Sequence, residues 1–233
     1  MGRPPVVDLG LWSLFKAIAS GDRDRVLRAV DGTPRLATGA IPTGGSRRTS
    51  LPYFLDAIQL QVYAGDTALH IAAAAYCADI AEELMSRGAR ISAVNRRGAQ
   101  PIHSAATGNP QSTHWNPDAQ VATIMYLIDA GADPNVADKN GATPLHRSAR
   151  TRCAAAISTL LFRGADHQQR NKRGSTPLDV AVVNSGRGGT GSSEAVNQQM
   201  EIIRILTEAG ARLSDRFYEK DGEEDEDDAS GAD

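Results

Sequence analysis

The sequence predicts an all-α fold in which similar pairs of helices stack side by side to form a solenoid. A five-residue phrase occurs four times with small variations, at residues 66–70, 99–103, 142–146 and 175–179. Each copy precedes an apolar stretch that ends in a Gly-Ala pair, at residues 88–89, 131–132, 164–165 and 210–211. A recurrence near every ~33 residues is typical of stacked helical units, because one unit cannot bury its own apolar face.

Each predicted unit contains two helices whose ends the sequence marks. Threonine can cap the first helix and proline fits its first turn; the capping threonines are Thr67, Thr143 and Thr176. The second helix carries apolar pairs one turn apart, such as Ile80 with Leu84, which form a buried stripe. The glycines that end the second helices as left-handed C-caps are Gly88, Gly131, Gly164 and Gly210.

The phrase Thr143-Pro144-Leu145-His146 and the later Gly-Ala pair resemble the ankyrin repeat family, and the resemblance covers about residues 11–215. It implies an ankyrin-type helical repeat solenoid with short β-hairpin turns. It also implies that the histidine of the phrase is structural and ties its turn to the neighbouring repeat; these residues are His70, His103 and His146. In this family the hairpin tips and the first helices form a concave surface.

Five positions depart from the family pattern. Tyr76 and Arg152 stand where the family usually has a helix-breaking glycine, so we expect the helix-to-helix turns of repeats two and four to differ locally. Ala68 replaces the proline, Gln100 replaces the threonine, and Asp179 replaces the histidine of the last copy. None of these changes disturbs the stacking pattern.

We assign residues 1–215 to a single solenoid. Residues 11–37 form a degenerate capping helix pair whose many charges suit the polar outer face of an end repeat. The units that follow are an insertion at 38–64 and repeats at 65–97, 98–140, 141–173 and 174–215. Inserted loops are expected at about 108–118 and, rich in glycine, at about 185–197. Residues 216–233 are expected to form an acidic disordered tail.

The insertion at 38–64 is too long to lack secondary structure in a compact domain. Its apolar residues have helical spacing, at Leu51, Leu55, Ile58 and Val62. Ser50 is a candidate cap and Pro52 suits a first turn. We therefore predict a short helix packed on the solenoid.

Charge is unevenly distributed along the chain. The formal net charge is -3, from 25 basic and 28 acidic residues. Residues 219–233 hold nine of the acids and one of the bases, so the rest of the chain has five more bases than acids. The tail either aids solubility or folds back over the basic face and competes with a partner.

The spacing of the two cysteines and the hydropathy of the chain predict the cellular compartment of the protein. Cys77 and Cys153 occupy the same position two repeats apart, too far for a disulfide, which indicates reduced thiols. No run approaches the roughly 20 apolar residues of a membrane helix, and the first residues lack signal-peptide features. We expect a cytoplasmic monomer with no membrane association.

Several sequence patterns that could indicate catalysis or ligand binding lack a residue or a spacing that the chemistry requires. His70, His103 and His146 occupy successive layers, so one metal ion cannot be shared across steps of about 10 Å. The segment 186–193 faintly echoes a phosphate-binding loop, but Ser192 stands in place of the lysine. No Gly-x-Ser-x-Gly elbow is present. We expect no catalytic residues, no metal and no cofactor, and we expect the protein not to be an enzyme.

Basic residues at the tips and on the first helix of repeat four predict a strip on the presenting face. The candidate partner-binding residues are Arg96, Arg97, Trp115, Lys139, Arg147, Arg150, Arg152, Lys172 and Arg173. The strip is either a merely solvated surface or a site that steers an acidic protein partner. Trp115 either anchors a partner or pins its own loop. Nucleic acid is a poor fit, because no stacking platform accompanies the arginines.

The predicted function is a non-catalytic protein–protein interaction module that presents a rigid concave surface of hairpin tips and first helices. The alternatives that stay open are a scaffold or regulatory subunit of an enzyme, and an effector-type protein with an unrecognised catalytic activity. Fold alone does not choose between them, because function resides in the surface and not in the architecture.

Overall fold

The computed structural model describes residues 8–45, 51–110, 112, 115–183 and 193–215. The predicted acidic tail at 216–233 lies outside these ranges, as do Ser50 and most of the glycine-rich loop. None of the helices within the described ranges combines the length and the hydropathy that a bilayer-spanning segment requires.

Within the described ranges the chain forms eleven α-helices and one two-stranded antiparallel sheet. The helices are α1 (Leu9–Ala19), α2 (Arg23–Gly32), α3 (Arg35–Thr38), α4 (Ala68–Ala74), α5 (Ala78–Ser86), α6 (Pro101–Ala105), α7 (Pro117–Asp129), α8 (Pro144–Thr151), α9 (Ala154–Phe162), α10 (Pro177–Val182) and α11 (Ser193–Glu208). The strands are β1 (Phe54–Leu55) and β2 (Leu60–Gln61).

The helices form two rows. The first helices of the repeats, α4, α6, α8 and α10, pack each against the next, and the second helices, α5, α7, α9 and α11, form a parallel row behind them. The capping pair continues both rows, since α1 packs on α4 and α2 packs on α5. The prediction of an all-α solenoid of stacked helix pairs is therefore confirmed.

The first helix of three repeats begins with a reciprocal pair of hydrogen bonds. A threonine hydroxyl accepts from the backbone N–H three residues later, at Thr67, Thr143 and Thr176. The side chain of that later residue accepts in turn from the backbone N–H of the threonine, at His70, His146 and Asp179. This capping box satisfies backbone donors that the helix itself cannot.

The core repeats the same positions from unit to unit. Each second helix buries two aliphatic side chains about one turn apart, all at most 1% exposed: Ile80, Leu84, Ile124, Leu127, Ile157, Leu160, Ile202 and Leu206. The first helices bury small residues, which let the backbones approach: Ala72, Ala105, Ser148 and Ala181. Burial of each aliphatic side chain contributes about 2 kcal/mol, so stability comes from contacts between neighbouring units.

The prediction of a short α-helix in the insertion is wrong. The chain instead forms a 3₁₀ turn at Leu51–Tyr53 and then the β1–β2 hairpin, whose loop contains a second 3₁₀ turn at Asp56–Ile58. Gln59 has a left-handed φ of 52°, which reverses the chain and prevents a continuous helix. The apolar spacing has another origin, because the hairpin folds Leu55 and Val62 towards the same core. The ring of Tyr53 also packs edge-on against Trp12, with centroids 6.2 Å apart.

The turns of repeats two and four adopt the conformation that glycine favours, although neither has glycine. Tyr76 has φ 58° and Arg152 has φ 60°, both in the left-handed region. That conformation costs a side-chain-bearing residue about 1–2 kcal/mol. The Tyr76 hydroxyl donates a 2.7 Å hydrogen bond to the carbonyl of Thr107, which offsets part of that cost. The expected local difference therefore lies in side-chain contacts and not in the direction of the backbone.

Candidate functional site

Three buried histidines tie successive repeats together. The Nε2 atoms of His70, His103 and His146 lie 3.0, 3.1 and 2.9 Å from the carbonyl oxygens of residues 99, 142 and 175 in the next unit. Their Nδ1 atoms accept a backbone N–H of their own turn, so each ring is neutral and Nε2–H donates. Within the described ranges no group of His, Cys, Asp and Glu side chains is arranged to hold a metal ion.

Burial keeps these rings neutral. It lowers the pKa of His70 and His146, and together with the neighbouring charge of Arg147 it lowers the pKa of His103 to about 4. A protonated ring would place an Nδ1–H against a backbone N–H, so the neutral form is the one that fits. These side chains are committed to structure and are not available as general acids or bases at neutral pH.

The hairpin tips are joined by backbone hydrogen bonds. The N–H groups of Arg96, Lys139 and Lys172 donate to the carbonyls of Ala64, Arg97 and Asn140, at 2.7, 2.9 and 2.9 Å. Each tip is also held by one side-chain oxygen, which belongs to Asn95, Asp138 or Asn171. Each of these oxygens accepts hydrogen bonds from two backbone N–H groups of its own tip. The tips therefore form one hydrogen-bonded row with fixed spacing.

A cavity of about 330 Å³ opens on the side of the tips and first helices. One wall is residues 58–61 of the insertion hairpin. Described residues of the loop after α6 form another: Thr107, Gly108, Asn109, Ser112 and Trp115. Small and aliphatic side chains of α4 and α6 form the floor, including Ile71, Ala74 and Ser104. Three arginines are also among the residues that line the cavity: Arg97, Arg147 and Arg150.

Arg147 is a buried cation at the edge of the cavity. It is 9% exposed, and its Nη2 donates a 2.8 Å hydrogen bond to the carboxylate of Asp138, which is 7% exposed. Burial alone would raise the pKa of Asp138, but the ion pair and two backbone N–H donors outweigh burial and lower it. The Nε–H of Arg147 has no hydrogen-bond partner among the described residues.

Tyr63 organises the two arginines of the first tip. The guanidinium of Arg97 lies 5.0 Å from the centre of the Tyr63 ring and donates a 3.0 Å hydrogen bond to the Tyr63 hydroxyl. Arg96 lies 5.5 Å from the same ring, and its Nη2 donates to the carbonyl of Gly45. Cation–π contacts of this kind hold the charges in place and leave them partly hydrated.

The predicted partner-binding residues fall into three groups. Arg97, Arg147, Arg150 and Trp115 line the cavity. Four others are exposed at the tips, outside its lining: Arg96, Lys139, Lys172 and Arg173. The placement of Arg152 on the first helix is wrong, because it ends α8 in a left-handed turn and is 5% exposed. Arg147 is also far less accessible than a surface strip requires.

Trp115 both pins its loop and contributes to the cavity wall. Its Nε1–H donates a 3.0 Å hydrogen bond to the side-chain oxygen of Gln120, and its ring packs closely against Gly108. A Cβ atom at Gly108 would lie 2.9 Å from the Trp115 Nε1 and would overlap the Cys153 sulfur. The ring is thus held by its own loop while one side lines the open space.

Sequence reasoning missed the walls of the cavity that come from the insertion and from tyrosines. Residues 58–61, Tyr63 and Tyr76 line it, and none was proposed as a site residue. The insertion has no counterpart in the other repeats, so the repeated sequence pattern does not predict where it lies in the fold. Two signals were available: Tyr63 is an aromatic residue beside the first copy of the phrase, and Tyr76 stands where the family usually has glycine.

Comparison with known proteins identifies the repeats. A profile of ankyrin repeats, in three copies, matches residues 118–217, and a single ankyrin repeat profile matches residues 64–96. An ankyrin repeat and LEM domain-containing protein 1 homolog of Caenorhabditis elegans is 43% identical over 65 residues, which are 28% of this chain and 8% of that protein.

Two further relatives match longer stretches at lower identity. The B-cell lymphoma 3 protein homolog of Mus musculus is 28% identical over 152 residues, 65% of this chain and 30% of that protein. The E3 ubiquitin-protein ligase KEG of Arabidopsis thaliana is 28% identical over 178 residues, 62% of this chain and 10% of that protein. The chain therefore spans less than a third of each of these relatives.

Proposed function

Since the chain belongs to the ankyrin repeat family, we propose that it is a non-catalytic protein-interaction module that presents its tips and first helices to a protein partner. Ankyrin repeats are general protein-interaction modules. We also propose that the protein is a cytoplasmic monomer and that the surface by which its partner contacts it is acidic. The observation that carries it is the hydrogen-bonded row of tips beside an open cavity.

Rigid presentation is the first support. The tips are joined to one another through backbone atoms, at 2.7 to 2.9 Å, and not through mobile side chains. A surface that is already ordered loses little conformational freedom on docking, so more of the contact energy appears as affinity. The cavity walls are also held from behind, by the Tyr76–Thr107 and Trp115–Gln120 hydrogen bonds.

Charge at the tips is the second support. Arg96, Lys139, Lys172 and Arg173 are exposed and carry positive charge along the row. Exposed charges of one sign raise the rate of encounter with an oppositely charged surface more than they raise affinity. This predicts an association rate that falls as salt concentration rises.

The chemistry of the buried groups favours binding over catalysis. The phrase histidines are neutral and their ring nitrogens are used in structural hydrogen bonds. Burial raises the pKa of Cys77 and Cys153 to about 11, so neither thiol is a thiolate nucleophile at neutral pH. Ankyrin repeat domains are typically non-catalytic.

Site-specific photo-cross-linking tests the proposal. The full chain would carry p-benzoylphenylalanine in place of Ser104 in the cavity, or of Lys139 or Lys172 at the tips. The matched control is Ser158, which is exposed on the second helix α9. After affinity capture and identification of a partner, we expect that partner to cross-link at the first three positions and not at Ser158. Cross-linking confined to Ser158 would show that a different face binds.

A further inference from the structure

We propose that the cavity receives an acidic segment of the partner, with one carboxylate directed at Arg97, Arg147 and Arg150 and an adjacent aliphatic side chain on the apolar wall. This inference rests on the proposed function and names the chemistry of the ligand at one place on the surface. It differs from general charge steering, because it assigns a specific acid to an enclosed group of arginines.

The size of the cavity suits a few side chains of a partner segment. Its volume is about 330 Å³, at the lower end of ligand pockets. A segment of a partner can therefore place side chains in it, whereas a whole folded domain cannot enter.

The lining divides into an apolar part and a cationic part. The apolar part includes Ile58 and Leu60 of the insertion and Ile71 and Ala74 of α4. The cationic part is contributed by the first tip and by α8. A ligand that satisfies both needs an aliphatic side chain next to a negative charge, which a peptide containing Leu and Glu supplies and a nucleic acid does not.

The buried charge of Arg147 is the strongest indication of an anionic ligand. Its guanidinium is engaged on one side by Asp138, at 2.8 Å, while the nearby charge of Arg97 opposes it. A buried cation is stabilised most by charged hydrogen-bond acceptors, because few water molecules reach it. A ligand carboxylate beside Arg97 and Arg150 would add a second negative charge on the side of the cavity.

Two carboxylates of the chain itself contribute negative charge at the cavity. Asp138 is paired with Arg147, and Asp66 also lines the cavity. The Asp66 side chain is 4% exposed, and its two oxygens accept hydrogen bonds from the Asn95 amide and the Tyr63 backbone N–H. Among the described residues, three arginines and Asp66 line the cavity, and Asp138 is paired with Arg147. Counted together, these described groups carry one more positive charge than negative charge.

Preorganisation strengthens the site. Arg97 is stacked on Tyr63 and hydrogen-bonded to its hydroxyl, so its orientation is set before a ligand arrives. A planar guanidinium held in this way presents paired N–H donors to a carboxylate. Little side-chain entropy remains to be lost on binding.

The test is a selection of random twelve-residue peptides displayed against the full chain, followed by affinity measurements on the selected peptides. We expect them to contain acidic residues next to aliphatic ones. Arg150→Glu should weaken their binding about 10-fold or more, whereas Arg90→Glu should change it less than about 2-fold. Arg90 is the matched control, because it is exposed and does not line the cavity. Arg97→Gln serves as a second cavity variant, and thermal unfolding checks that each variant is folded.

A double-mutant cycle between Arg150 and the critical Glu of the peptide measures the direct interaction of these two side chains. A selected peptide in which Gln replaces the critical Glu should bind the wild type and the Arg150→Glu variant equally weakly. Neutral peptides that bind the cavity would overturn the inference and leave the proposed function standing. A synthetic peptide of residues 219–233 that competes and shows the same sensitivity to Arg150→Glu would also overturn it, because the occupant would then be the chain's own acidic segment.

Discussion

The last residue of the repeated phrase contacts the neighbouring backbone both between repeats and at the C-terminal end. Its side chain donates a hydrogen bond to that backbone between repeats and accepts one from it at the C-terminal end. His146 accepts from its own turn through Nδ1 and donates through Nε2 to the carbonyl of Ser175. Asp179 accepts from the Thr176 N–H, at 2.8 Å, and its other oxygen accepts the Ser214 N–H, at 2.9 Å. A following repeat offers a carbonyl, whereas the chain after α11 offers an N–H. The neighbouring backbone group therefore decides which side chain completes the phrase.

The two kinds of junction also carry different charge. The histidines are neutral, because burial lowers their pKa. Burial alone would raise the pKa of Asp179, but the donors from Ser214 and Thr176 outweigh it and lower the pKa, which keeps the carboxylate ionised. As the pH falls, the hydrogen bonds of the internal junctions should therefore be lost at a different pH from those of the terminal junction.

The largest predicted effect is the response to pH. A histidine with a pKa near 6.5 unfolded and about 4 folded contributes stability in full above about pH 6.5, and that contribution is lost as the pH falls towards 4. For His103 the loss is about 3 kcal/mol. Asp179 loses its contribution only below about pH 4, because its folded pKa lies under the usual value. Urea unfolding between pH 7.5 and 4 measures the change.

The His103→Gln variant is the control for this prediction. Burial raises the pKa of Asp66, so that carboxyl acts with the opposite sign and reduces the total slope. The difference between the wild type and His103→Gln isolates the histidine. Amide exchange gives a second measurement, since the N–H of Gln100 should lose protection at a higher pH than the N–H of Thr176. Equal pH slopes for the two proteins would contradict the account.

The next effect comes from exchanging the two side chains. His146→Asp should keep the cap on the Thr143 N–H, as Asp179 does in the last repeat, but it leaves the Ser175 carbonyl without its donor. Asp179→His would direct a ring N–H at the Ser214 N–H. Each exchange should lower the free energy of unfolding by about 2 kcal/mol, because a buried polar group loses its partner.

Asp179→Asn is the milder control for the exchange. It keeps the shape and one acceptor oxygen, so we expect a loss of about 1 kcal/mol in urea unfolding. If His146→Asp and Asp179→His were as stable as the wild type, the polarity of the neighbouring backbone group would not govern this position.

The smallest prediction is a difference of about 1 kcal/mol in the cost of alanine between an internal tip and the terminal one. Gly141 and Gly174 have φ of 73° and 75°, so alanine at either should cost about 1 kcal/mol in backbone strain. A Cβ atom at Gly141 would also lie 2.9 Å from the Lys172 backbone nitrogen, whereas nothing lies within 4 Å at Gly174. Gly141→Ala should therefore cost about 2 kcal/mol in total, and Gly174→Ala about half as much. Identical losses in thermal unfolding would show that the tips are not in close contact.

The candidate site could be predicted from the sequence only in part. The repeat pattern selected Arg97, Arg147 and Arg150, and the inserted loop of repeat three drew attention to Trp115; all four line the cavity. It did not reveal that Arg147 is buried, because that depends on Asp138 from the preceding tip. It misplaced Arg152, because the helix ends one residue earlier in a left-handed turn. Spacing along a helix indicates a face but not what covers it.

The sequence by itself determined the stacked rows of helices, their caps and the row of structural histidines. Each of these features depends on residues a few positions apart or on an identical neighbour one repeat away, so a recurring phrase contains the necessary information. Only the tertiary structure decided the cavity and its charge balance. Its walls come from an insertion and a loop with no repeated counterpart, and their positions follow from long-range packing on α1, α4 and α6.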